Sequence, residues 1–149
     1  FEVSIDGGIW VAIRVRFIVK PHPCIIGFVG LPTMPQPLAT VPERAQLLAN
    51  GEARAAGRAI DPVPVVRLFT PDAHVTWLLA ALDPADGDTA WGLIDLGIGM
   101  PAQGTVKLSE LAGIVGPRQQ PVLRDRYFRP TRTLSEYTRL AERDGAIPD

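Results

Sequence analysis

Asp83, Asp86, Asp88 and Asp95, together with a run of arginines near the carboxy terminus, are the residues whose types and spacing could carry chemistry. Carboxylates two or three residues apart on a tight turn can converge on a hard cation such as Mg²⁺ or Ca²⁺. A divalent-cation-dependent enzyme using Asp83, Asp86, Asp88 and Asp95 is therefore one expectation. The spacing is not that of an EF-hand, whose longer ligand series ends in glutamate. Turn aspartates also hydrogen-bond their own backbone, and that scaffold role is the preferred reading. Asp95 follows Trp91 and Leu93 on one strand face, so its carboxylate needs a partner. Arg67 or an arginine of the last strand is expected to supply it.

From Pro117 to Arg143 seven arginines (118, 124, 126, 129, 132, 139 and 143) stand against Asp125, Glu136 and Glu142, a local balance of +4. Tyr127 and Phe128 lie among them. Arginine holds phosphates and aromatic rings stack on bases, so Arg124, Arg126, Arg129, Arg132 and Tyr127 are candidate nucleic-acid contacts. Arginines on an edge strand also guard against strand addition and form salt bridges. His74 follows a turn and reads as an exposed turn histidine. No Gly-x-Ser-x-Gly, P-loop or dinucleotide fingerprint is present, and Gly97-x-Gly99 runs into Met100-Pro101 rather than into a helix.

Composition narrows the classes further. The net charge is -1 over 149 residues, so no global field draws the chain to polyanions. Cys24 is the single cysteine, which excludes an internal disulfide framework and a cysteine-rich zinc site. His22 and His74 are too far apart in sequence to suggest a histidine-built metal site. No cofactor is expected, and a reducing cytoplasm suits the cysteine usage.

The elements that must position these residues centre on 64–97. Val65–Phe69, Val75–Leu82 and Thr89–Leu96 read as three antiparallel strands, joined by Thr70-Pro71-Asp72-Ala73 and Asp83–Asp88. The middle strand is apolar on both faces and is expected to lie centrally, covered on both sides. Strict alternation would put Val75, Trp77, Leu79 and Ala81 on one face and Thr76, Leu78, Ala80 and Leu82 on the other. Gly92 suggests a bulge or a close backbone approach. Thr40 with Glu43, and Thr133 with Glu136, form capping-box patterns for helices near 42–50 and 133–143. Asn50-Gly51 reads as the end of the first. A short strand at 105–107, a small helix over 108–114 and a final edge strand over 121–128 complete a single α+β domain over 34–149. Its sheet is mostly antiparallel, with four or five strands and short flanking helices.

Residues 1–33 differ in character. Their apolar run from Ile9 to Val19 contains Arg14 and Arg16, which suits neither a membrane span nor a signal peptide. They are expected to be upstream sequence translated ahead of Met34, or else a disordered or strand-forming extension with alternation over 11–18.

With those elements in place, residues 34–147 resemble the bacterial domain of unknown function 2958 family (DUF2958). The resemblance is carried by Gln46–Gly51, by the block Asp61-Pro62-Val63-Pro64-Val65-Val66-Arg67-Leu68-Phe69-Thr70-Pro71-Asp72-Ala73, and by Thr76-Trp77-Leu78-Leu79. Leu82-Asp83-Pro84, Gly92-Leu93 with Asp95-Leu96-Gly97, Leu108–Leu111, Pro121-Val122 and Arg124-Asp125 extend it. The resemblance implies bacterial origin and association with plasmids and other mobile elements, without a catalytic residue. Family members usually carry an acidic residue near Ala102, which this chain lacks. The expected function is a non-catalytic binding or accessory protein with an unidentified protein partner. Nucleic acid is the second candidate partner, and no membrane is expected.

Overall fold

The structure, a computed structural model, describes residues 3–5, 10–11, 37–71, 73–114 and 120–148, the first two stretches by backbone alone. In chain order the elements are β1 (Val3–Ile5), β2 (Trp10–Val11), α1 (Val41–Ala55), β3 (Val66–Phe69), β4 (Thr76–Leu82), β5 (Thr89–Asp95), β6 (Ala102–Lys107), α2 (Leu108–Ala112), β7 (Leu123–Arg124) and α3 (Leu134–Asp144). One antiparallel sheet runs β2-β1-β6-β5-β4-β3-β7. Strands β3 to β7 are the expected five, and β1 extends the sheet beyond β6 through Ser4 opposite Thr105. The alternation expected over 11–18 falls, past Val11, outside the described residues.

Both capping boxes form. The Thr40 hydroxyl accepts from the Glu43 N–H at 3.4 Å, and the Glu43 carboxylate accepts from the Thr40 N–H at 2.8 Å. Thr133 and Glu136 repeat the pattern at α3. These reciprocal bonds satisfy amides that the first helical turn leaves without partners. At the other end of α3, Gly145 takes the left-handed backbone (φ 77°) that closes a helix without a Cβ penalty.

Asn50-Gly51 does not end α1, which continues to Ala55. Local stop chemistry loses here to tertiary contacts. Strand β3 pairs with β4 no further than Leu79, so the Ala80 carbonyl has no ladder partner on that side. The Asn50 side-chain amide takes its place, donating to Ala80 O at 2.7 Å. Gly51 lies so close to β4 that a Cβ there would stand 1.7 Å from the Leu82 carbonyl oxygen. The pair is a docking device rather than a terminator.

As expected, β4 lies between two strands and is buried on both faces. Leu47 of α1 and Leu111 of α2 pack with Val66, Leu68, Trp77, Leu79 and Leu82. Leu134, Tyr137 and Ala141 of α3 pack with Leu78, Ala80, Ala81, Trp91 and Leu93 on the other side. The strict alternation fails at one point. Leu79 pairs with Gly92 but Ala81 pairs with Trp91, so Ala80 is an extra residue. This β-bulge reverses the phase, sending Leu82 to the Trp77 side and Ala81 to the α3 side. Gly92 sits at the bulge, where a Cβ would lie 1.9 Å from the Leu78 carbonyl oxygen. No helix among the described residues is long and apolar enough to cross a membrane.

Candidate functional site

The aspartates of the β4–β5 turn are tied to backbone and hydroxyl donors. Asp83 accepts from the Ala85 N–H at 2.8 Å. Asp86 accepts from the amides of Asp88 and Thr89, both at 2.9 Å, and from the Thr89 hydroxyl at 2.6 Å. Asp88 reaches out of the turn to α2, accepting from the Ser109 amide at 2.9 Å and the Ser109 hydroxyl at 2.6 Å. A negative charge at a helix start also meets the positive end of the helix dipole. The same device recurs at α3, where Asp61 receives both the amide and the hydroxyl of Ser135. The Ser135 hydroxyl is the main cause of a lowered Asp61 pKa. Leu108-Ser109-Glu110 and Leu134-Ser135-Glu136 are thus two helix starts whose serine is clamped by a distant aspartate, although only α3 also carries a capping box.

Asp95 belongs to a different place. It ends β5, roughly 20 Å along the strand from Thr89 at about 3.3 Å per residue. Only 6% exposed, it accepts from the Gly97 N–H at 2.9 Å and the Ile147 N–H at 3.0 Å. The expected ion-pair partner is replaced by these two amides, and the Arg67 guanidinium instead lies 3.7 Å from Asp125. The four aspartates are therefore not one constellation. Among the described residues no group of three or more His, Cys, Asp or Glu side chains could hold a metal ion.

The bonds to Asp86, chiefly from the Thr89 hydroxyl and then from the backbone amides, lower its pKa to about 2 from 3.8. A depressed carboxylate favours the folded state above its unfolded pKa, and that contribution disappears as pH falls through the folded value. Asp86→Asn is accordingly expected to flatten the dependence of melting temperature on pH between about 4 and 2 relative to the parent chain. Parallel pH series of thermal melts check it.

The arginine-rich segment is divided between scaffold and surface. Arg124, on the edge strand β7, donates to Glu43 at 3.1 Å and fastens the sheet edge to the α1 cap. The expected strand over 121–128 contracts to Leu123–Arg124, because Asp125 turns the chain. The Asp125 N–H donates to Arg67 O at 2.9 Å, and its carboxylate accepts from the Tyr127 N–H at 2.9 Å. Arg126 and Tyr127 consequently occupy an exposed turn, with Tyr127 89% accessible. Arg129 and Arg132 are exposed in the connection to α3, and Arg129 donates to Phe128 O at 3.1 Å. Arg118 lies outside the described residues.

Among the described residues two grooves border this segment. One is lined by Phe69, Leu123, Arg124, Asp125, Arg126 and Tyr127. The other lies on α3, between Arg132, Glu136, Arg139, Leu140 and Arg143. Arg139 and Arg143 belong to the seven arginines of the segment but not to the candidate contacts expected from sequence. Their spacing of four is the signal that puts these two on one side of α3, and Arg132, just before the Thr133 cap, joins them at the groove. Leu140 is half-buried between them. Arg143 is joined to Asp144 at 2.8 Å, an exposed pair of the kind that contributes little stability.

Two further features lie outside this segment. His74 is exposed, as expected, and takes a left-handed backbone (φ 53°) at the β3–β4 turn. Arg54 of α1 stacks over the Trp91 ring at 3.6 Å from its centroid, a cation–π contact that holds the last turn of α1 to β5.

A family model described as "Protein of unknown function (DUF2958)" matches residues 38–148. Searches of the curated proteins and of the solved structures each find no match.

Proposed function

For a chain that belongs to the DUF2958 family of proteins of unknown function, we propose the role of a non-catalytic binding protein whose ligand is nucleic acid. It acts in the bacterial cytoplasm as an accessory of mobile elements. Its working surface is the exposed arginine series Arg126, Arg129, Arg132 and Arg139.

The observation that carries this reading is the way opposite charges are sorted along the carboxy-terminal segment. Asp125 is committed to Arg67 and to the Tyr127 amide, and Glu136 to the α3 cap. Arg126, Arg129, Arg132 and Arg139 are exposed at the surface, while Arg143 is paired with Asp144 and Glu142 is exposed on the same helix. A local excess of guanidinium groups in an otherwise near-neutral chain gives phosphate a place to bind without a global field. A scaffold role for Asp83, Asp86, Asp88 and Asp95 fits the same picture, since each already accepts hydrogen bonds from the fold.

Fluorescence anisotropy with a labelled oligonucleotide tests the proposal. Binding is expected at low salt and weakens as salt rises, because phosphate contacts release counterions. Replacing Arg126, Arg129 and Arg132 together by Ala is expected to lower the slope of log affinity against log salt by about 2, at roughly 0.7 for each lost single-strand contact. Absence of any binding in low salt would remove nucleic acid as the ligand.

A further inference from the structure

We infer that the groove beside Tyr127 is a base-stacking pocket, so that the nucleic acid held by the arginine surface is single-stranded. This rests on the nucleic-acid reading above and deepens it by naming the form of the ligand.

The groove has the parts that an unpaired base requires. Phe69 and Leu123 stand directly opposite each other in the β3–β7 pair, which puts both half-buried side chains on one sheet face. Tyr127, Arg124, Asp125 and Arg126 complete the lining around a cavity of about 280 Å³. An apolar floor and an aromatic wall therefore lie within the arginine surface, with Arg126 contributing to the groove itself. In a duplex the base faces are occupied by their neighbours, whereas an unpaired base can leave the strand and stack on protein.

The position of Tyr127 is also prepared. A tyrosine 89% exposed has no packing reason to be where it is. Its backbone is nonetheless fixed by the Asp125 carboxylate, which accepts from the Tyr127 N–H at 2.9 Å. Asp125 is anchored in turn through its own amide to Arg67 O at 2.9 Å. The ring is thus presented by a turn built on the sheet edge, so little further backbone order is lost when a base stacks on it.

Because Tyr127 is exposed, Tyr127→Ala and Tyr127→Phe leave the fold intact and isolate the ring. Anisotropy is measured with a short oligothymidylate, the same length of duplex, and an abasic strand with the same number of phosphates. The unpaired strand is expected to bind at least tenfold more tightly than the other two, within the usual range for a stacked base. Tyr127→Ala should bring its affinity down to the abasic level, while Tyr127→Phe retains it. Equal affinity of Tyr127→Ala and parent for oligothymidylate overturns the stacking pocket and leaves the arginine surface standing. Duplex binding as tight as single-strand binding does the same. No binding of any of the three overturns both.

Discussion

Gly51→Ala is expected to lower the melting temperature, although alanine is by far the better helix residue. In an open helix interior this exchange would stabilise by about 1 kcal/mol. Here the new Cβ would stand 1.7 Å from the Leu82 carbonyl oxygen and 2.7 Å from its carbon. Those are backbone atoms of the central strand, which no side-chain rotation can move aside. Relief requires α1 to lift from β4, breaking the Asn50 bond to Ala80 O and loosening Leu47 in the core. Overpacking of this kind costs about 3 kcal/mol, so the net loss is about 2 kcal/mol, or roughly 8 °C for a domain of this size. Gly92→Ala meets the Leu78 carbonyl oxygen at 1.9 Å and is expected to behave alike. Thermal melts of the two variants decide the matter. A Gly51→Ala chain that melts at or above the parent temperature would mean that α1 does not rest against β4 as described.

Asp95→Ala carries the second large effect. The carboxylate is buried, and its two oxygens serve the amides of Gly97 and Ile147, fifty-two residues apart in sequence for the latter contact. Truncation leaves the buried Ile147 N–H without its acceptor, at about 1–3 kcal/mol, whereas the N–H of exposed Gly97 can turn to water. A loss of about 1–3 kcal/mol is expected in urea denaturation. The substitution also releases the segment after α3, so Ile147, now buried, should lose its amide protection against hydrogen exchange. Asp95→Asn keeps one acceptor oxygen and should fall between the two. A normal midpoint with unchanged Ile147 protection would refute the role assigned to this carboxylate.

The parts of the fold that sequence made legible are those decided within a few residues. Thr40 with Glu43, and Thr133 with Glu136, announce helix starts because the bonds they make close over three positions. The Asp83–Asp88 turn and the doubly buried β4 were readable for the same reason, as was the close approach at Gly92. What stayed hidden depends on distant partners. The phase change at Ala80 needs the pairing with β5, and the length of α1 needs the bare Ala80 carbonyl where β3 stops. Asp95 could be recognised as needing partners, but nothing local points to Ile147. Among the arginines, charge density was visible, while the fastening of Arg124 to Glu43 and the grouping of Arg132, Arg139 and Arg143 follow from where β7 and α3 lie. The edge strand expected over 121–128 was cut short because Asp125 bonds two residues ahead and turns the chain.

The proposed division of labour has the aspartates holding the scaffold and the carboxy-terminal arginines with Tyr127 meeting nucleic acid. Titrating a short single-stranded oligonucleotide into isotope-labelled protein and following amide shifts tests this division residue by residue. Perturbations are expected at Arg126, Tyr127, Arg129, Arg132 and Arg139, with the Asp83–Asp88 turn silent. Shifts centred on that turn, or none anywhere at low salt, would contradict the account.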